Sequence, residues 1–169
     1  MVDTKKIAIS AMLIAFDVIF TRVLALNTPL AKLGFGFAAV AVCAMLYGPW
    51  WAAGTSALGD LIGSLLFPTG TFFPGFTVTA AVTGAIFGLL LYRRRPSVRD
   101  CFFAALANEA IVMLLLNTAM ISIVFGPPFM PLLLTRLAQF GVMLAVQTLV
   151  LAAIARSDAL YGRIIDLKT

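Results

Sequence analysis

Five charged side chains fall within or beside long apolar stretches: Asp17, Arg22, Asp60, Glu109 and Arg136. An unpaired charge in such a setting costs several kcal/mol, so each must face a partner or a ligand inside a bundle. Amides and hydroxyls accompany them. Arg136, Gln139, Met143 and Gln147 recur at helical spacing and lay a polar stripe along an apolar helix, and Asn108, Glu109 and Asn117 add polar positions to the preceding one. Asn108, Glu109 and Gln147, the deeper set, read as interhelical hydrogen bonds. Asn117, Arg136 and Gln139, nearer the far ends of their helices, stand equally as ligand groups. Asp17 and Asp60 read as structural partners of Arg22, Arg136 or nearby hydroxyls, with a proton or cation relay and ligand binding as the competing readings.

The chemistry open to this set is recognition. The chain has no histidine, and Cys43 and Cys101 lack CxxC spacing. That excludes His-ligated haem and a His-based triad, and argues against a zinc site. The lysines are Lys5, Lys6, Lys32 and Lys168, none in a GxxxxGK[ST] motif, so ATP is not handled through a P-loop. An intramembrane enzyme using Asp17, Asp60 or Glu109 as acid or base would need convergent carboxylates or a metal cluster, and neither DxxD nor HExxH occurs. A solitary ion-coupled carrier would rest on the same acids.

Residues 66–77 read LFPTGTFFPGFT. Pro68 and Pro74 remove backbone donors, Gly70 and Gly75 open unusual backbone angles, and Phe67, Phe72, Phe73 and Phe76 are too apolar to lie freely in water. The expectation is a folded-back loop rather than regular helix. Its rings either anchor in the lipid interface or, interleaved with Thr69 and Thr71, stack on a flat ligand whose polar edge the hydroxyls read. LGFGF, residues 33–37, adds further rings.

The elements that must hold these residues follow from composition. The chain has 169 residues, 62% hydrophobic and 11% charged, and a mean hydropathy of +1.07. These values indicate an integral membrane protein with room for about six spans of ~20 residues and no separate soluble domain. The expected spans are 6–26, 34–48, 50–66, 77–92, 101–124 and 131–155, in a single membrane-embedded domain covering 1–169. Asp17 interrupts the apolar stretch after Lys5 and Lys6, which argues against a cleaved secretory signal. Lys5, Lys6, Arg93, Arg94, Arg95, Arg99, Arg156, Arg163 and Lys168 all fall on one side of this arrangement, against Lys32 on the other. The positive-inside rule then places both termini in the cytoplasm, and the proline-bearing connectors at 27–33, 67–76 and 125–130 outside. The net charge of +5 is therefore a topology signal and not a nucleic-acid footprint. Tyr47, Gly48, Pro49, Trp50 and Trp51 form a tight turn with aromatic anchors. Ala80, Gly84 and Gly88, and Gly59 and Gly63, allow close helix approach, whereas Ala8, Ala11 and Ala15 suit internal packing and a partner helix equally.

With these residues in view, the sequence resembles the substrate-capture (S) components of energy-coupling-factor vitamin transporters, most closely their folate-specific branch. The resemblance runs over essentially the whole chain. It is carried by Arg22 at the end of an alanine-rich first span, NTPLAKLGFGF, YGPWW, DLIGSLLFPTGTFFPGFT, and LLNT followed by FGPPF and Arg136. It implies an all-α bundle of six transmembrane helices in the bacterial cell membrane, with a ligand pocket on the extracellular side. Such a protein binds folate without a cofactor and hands it inward by toppling in the membrane. The implied partners are a transmembrane coupling subunit (EcfT), met through Ala11 and Ala15, and two cytoplasmic ATPases. Candidate ligand residues are Arg22, Lys32, Phe35, Thr69, Phe72, Phe73, Asn117, Arg136 and Gln139. Phe35 and Phe73 would stack on rings, Asn117 and Thr69 would read pterin edges, and Lys32 or Arg136 would meet a carboxylate. An S component for another vitamin, such as riboflavin or pantothenate, would share the architecture.

Overall fold

The computed structural model of the chain describes residues 4–23, 26–27, 32–68, 73–92 and 95–157. They are almost wholly helical. Helix α1 (Thr4–Val18) runs into a π-helical turn, Ile19–Val23. Leu26–Asn27 and Lys32–Leu33 then form a minimal antiparallel pairing, β1 and β2, with Leu26 opposite Leu33. Helix α2 (Gly36–Tyr47) is apolar on every side and is buried along nearly its whole length, as a helix without a polar face must be. Gly48, at φ 84°, makes the sharp turn into α3 (Pro49–Leu66).

Helix α4 spans Pro74–Leu91, and α5 (Val98–Ala107) starts from a capping box between Ser97 and Asp100. A π-helical stretch, Asn108–Asn117, joins α5 to α6 (Thr118–Phe125), which ends on a left-handed Gly126. Helix α7, Phe129–Arg156, is the longest at 28 residues. Among the described residues, three stretches are long and apolar enough to cross a membrane: Pro74–Leu91, Val98–Phe125 and Gln139–Arg156. Helix α2, with 12 residues, reaches only about 18 Å.

The core gathers around α2: Phe37, Val40, Ala44, Phe87, Leu91, Cys101, Ala105, Met143 and Leu151 pack as one cluster. Helices α3 and α4 touch backbone to backbone, since a Cβ at Gly88 would overlap Pro49 and one at Gly84 would overlap Ala52. These glycines serve helix approach, as expected. Gly59 and Gly63 do something else: they leave room for side chains of the first helical segment, Asp17 and Arg22 respectively.

One end of the bundle is basic. Lys6 Nζ lies 3.9 Å from the centroid of the Trp51 ring and 5.1 Å from that of Tyr47, and Trp51 Nε1 donates to Ser10 Oγ at 2.7 Å. Arg95 donates to the carbonyls of Ala155 and Arg156, satisfying the end of α7. The opposite end collects the β pairing, the start of α4 and the Gly126 turn.

Three expectations are corrected. Helix α4 begins at Pro74, so Pro74, Gly75, Phe76 and Thr77 are helical; proline at the first helical position loses no hydrogen bond, which the sequence reading overlooked. Tyr47 and Trp51 hold Lys6 rather than facing lipid, leaving Trp50, 91% exposed, as the outward ring of that turn. The first span gives way before residue 26 to the β pairing, a small departure from an all-helical fold.

Candidate functional site

Polar side chains converge at the end opposite the basic one, and α4 links them. Thr77 and Thr79, two residues apart, point to opposite sides of that helix. On one side Thr77 Oγ1 donates to Asp60 Oδ2 at 3.0 Å, and Arg22 Nη2 bonds the other oxygen of the same carboxylate at 3.3 Å. The Arg22 side chain crosses to α3 over Gly63, where a Cβ would stand 3.3 Å from Nε. The pair is not sealed: Arg22 retains 12% and Asp60 23% of its side-chain exposure. On the other side Thr79 Oγ1 donates to Asn117 Oδ1 at 3.1 Å and to the Phe76 carbonyl at 2.7 Å.

The start of α4 is roofed by aromatic rings. Phe73 precedes Pro74 and meets Phe76 edge-on, with ring centroids 6.2 Å apart. Its ring lies over Gly75, and Met120 Sδ from α6 approaches the same glycine, each within 2.5 Å of where a Cβ would stand. Across the bundle end Phe35, 37% exposed, sits just before α2 beside Phe37.

A third station lies on α7. Arg136 Nη1 approaches Met113 Sδ at 3.8 Å, and no carboxylate among the described residues comes within ion-pair distance of this half-buried guanidinium. Gln139 is buried one turn further along. Met113 and Asn117 are one turn apart, so the face that meets Arg136 runs up to the residue that meets Thr79.

Deeper in the bundle, Gln147 Nε2 donates to Glu109 Oε1 at 2.5 Å and Asn108 Nδ2 donates to Gln147 Oε1 at 3.3 Å. This is the interhelical bonding expected of those residues, and it ties α7 to the π-helical stretch. Asp17 forms no ion pair among the described residues. Its carboxylate is wedged between Gly36 and Gly59, beside a cavity of about 10 Å³ also lined by Cys43, Thr55 and Ser56. That volume holds about one water and is no ligand site.

Of the expected ligand residues, Arg22, Phe35, Phe73, Asn117, Arg136 and Gln139 are all described and lie toward this end. Thr69 and Phe72 lie outside the described residues, and Lys32 is described as backbone in β2 only. Sequence reasoning missed Thr77, Thr79, Met113 and Met120. A threonine or methionine in an apolar helix carries no signal of its own; only the fold shows what each meets.

The substrate-specific component of ECF transporters, as a family model, matches residues 5–155. The chain belongs to that family. A folate transporter, FolT, of Clostridium novyi (strain NT) is 35% identical over 141 residues, covering 83% of this chain and 82% of the relative. FolT of Leuconostoc mesenteroides is 29% identical over 121 residues, covering 72% of this chain and 63% of the relative. A crystal structure of FolT bound with folic acid superposes with a TM-score of 0.86 at 29% identity, over 91% of this chain and 96% of that one. An S component is a membrane transport subunit and not an enzyme, which accounts for intramembrane acids that converge on no reacting centre.

Proposed function

We propose that this S component captures folate from outside the cell and delivers it inward. The likeness that carries the reading is the superposition, over nearly the full length of both chains, on FolT bound with folic acid. The polar end has the groups folate calls for. Arg136 is a guanidinium with no carboxylate partner among the described residues, suited to the anionic glutamate tail. Phe73 and Phe35 offer faces for the flat pterin and the aromatic linker, and Thr69 and Phe72, outside the described residues, are proposed to join them. Asn117, already bonded to Thr79, has an amide NH₂ to offer a pterin oxygen, Gln139 lies one turn from Arg136, and Lys32 would supply a second cation.

The protein is read as six membrane-crossing segments in the bacterial cell membrane, with the basic end and both termini in the cytoplasm and the pocket outside. Clustering of Lys6, Arg95, Arg99 and Arg156 at one end supports this orientation. The chain has no means of hydrolysing ATP, so delivery rests on a transmembrane coupling subunit and two cytoplasmic ATPases. Helix α1 has the surface for such a partner: Ala11 and Ala15 are exposed, flanked by Met12 at 61% and Phe16 at 41% exposure. Titration calorimetry of the purified chain with folate, riboflavin, thiamine and pantothenate tests the substrate. Tight binding of folate alone is expected; tight binding of another vitamin with none for folate would overturn the reading.

A further inference from the structure

We infer that Asp60, held by Arg22 and Thr77, is the residue that selects the pterin ring by accepting hydrogen bonds from its 2-amino group and ring N3–H. The inference rests on the folate reading above and assigns a partner to the most polar edge of that ligand.

A carboxylate has about four acceptor positions on two oxygens. Among the described residues Asp60 uses one on each: Oδ1 takes Arg22 Nη2 and Oδ2 takes Thr77 Oγ1. One position per oxygen is left, which is the arrangement a carboxylate presents to a fork of two parallel N–H donors. The 2-amino-4-oxopyrimidine half of a pterin is such a fork, with N3–H and one 2-amino hydrogen side by side. Asn117 and Thr79 do not match it, because an amide has a single acceptor oxygen, and that of Asn117 already takes the Thr79 hydroxyl.

Position and energetics agree. Asp60 lies within the outer two turns of α3, beside the first turn of α4, and its side chain is 23% exposed where Glu109 is 2% exposed. A charge pair in an apolar bundle adds little net stability over apolar packing, so its presence calls for a use. Arg22 and Thr77, one on each oxygen, fix the plane of the carboxylate, which prepares it for a planar ligand. Gly63 leaves Arg22 its path, because a Cβ there would stand 3.3 Å from Nε and crowd the guanidinium.

The test is calorimetry on the full-length purified chain with folate, 2-desamino-folate and p-aminobenzoylglutamate, which lacks the pterin. Wild type is expected to bind folate at least about 100-fold more tightly than 2-desamino-folate, as a site built to pair a polar group rejects the analogue lacking it. In Asp60→Asn that gap collapses to a few-fold, while binding of p-aminobenzoylglutamate is unchanged. Thr77→Val narrows the gap partially. Equal binding of folate and 2-desamino-folate by wild type overturns the inference without any variant needing to fold, as does an undiminished gap in Asp60→Asn. Either result leaves the folate reading standing, whereas failure of wild type to bind folate at all would remove that reading itself.

Discussion

Among the described residues, the charges within the helices differ in what they meet. Asp60 and Arg22 hold each other, Glu109 is bonded through Gln147, and Asp17 is packed between glycines, but Arg136 meets only a thioether. A desolvated guanidinium with so weak a neighbour is poised for an anion. Arg136→Ala is expected to weaken folate binding about 10- to 100-fold, the worth of one hydrogen-bonded charge contact. It is also expected to erase the preference for folate over pteroate, which has no glutamate. Calorimetry of both ligands checks this, and an unchanged folate affinity would remove Arg136 from the site. Arg136 and Asn117 were legible in the sequence because a polar residue in an apolar helix stands out. Thr77 and Thr79 were not, since threonine sits in such helices for many reasons and only α3 and the π-helical stretch beside them give each a partner.

The helices themselves were legible because hydrophobicity is the strongest signal in the sequence and membrane helices are long. Their ends were less so. Proline marked a break at residue 74 but opens α4 there, and no residue pattern announced the π-helical turns at Ile19–Val23 and Asn108–Asn117. The glycine spacings in α3 and α4 look alike in sequence yet act differently, one leaving room for Asp17 and Arg22 and the other admitting the neighbouring backbone. The structure therefore ranks glycines that sequence cannot. Gly88→Leu, which would collide with Pro49, is expected to cost about 1–3 kcal/mol or more. Gly54, with nothing within 4 Å of a Cβ, should accept alanine with no loss and up to about 1 kcal/mol of gain from helix propensity. Thermal unfolding of the detergent-purified variants distinguishes them; equal stability of both would contradict the packing described here.

At the scale of the whole molecule, the proposed function assigns capture and coupling to different surfaces. The polar end is the proposed ligand end, while Ala11 and Ala15 lie on an exposed flank of α1. Replacing both with leucine is expected to leave folate affinity within about two-fold, as exposed sites away from the pocket usually do. The same variant should abolish folate uptake by liposomes carrying the coupling subunit and ATPases. Uptake at wild-type rate by the double variant would place the partner elsewhere. Liposomes with the S component alone are expected to bind folate and accumulate none, and ATP-independent accumulation would speak for a solitary carrier.

The first turns of α4 carry Thr77 and Thr79, bonded to Asp60 on one flank and Asn117 on the other. So short a length of rigid helix moves as one piece and carries both hydroxyls with it. It acts as a crossbar: a rotation that frees the carboxylate frees the amide in the same stroke, so the jaws on both flanks open together. Release would then be all-or-none, and a fragment filling one jaw would be let go as abruptly as the whole vitamin.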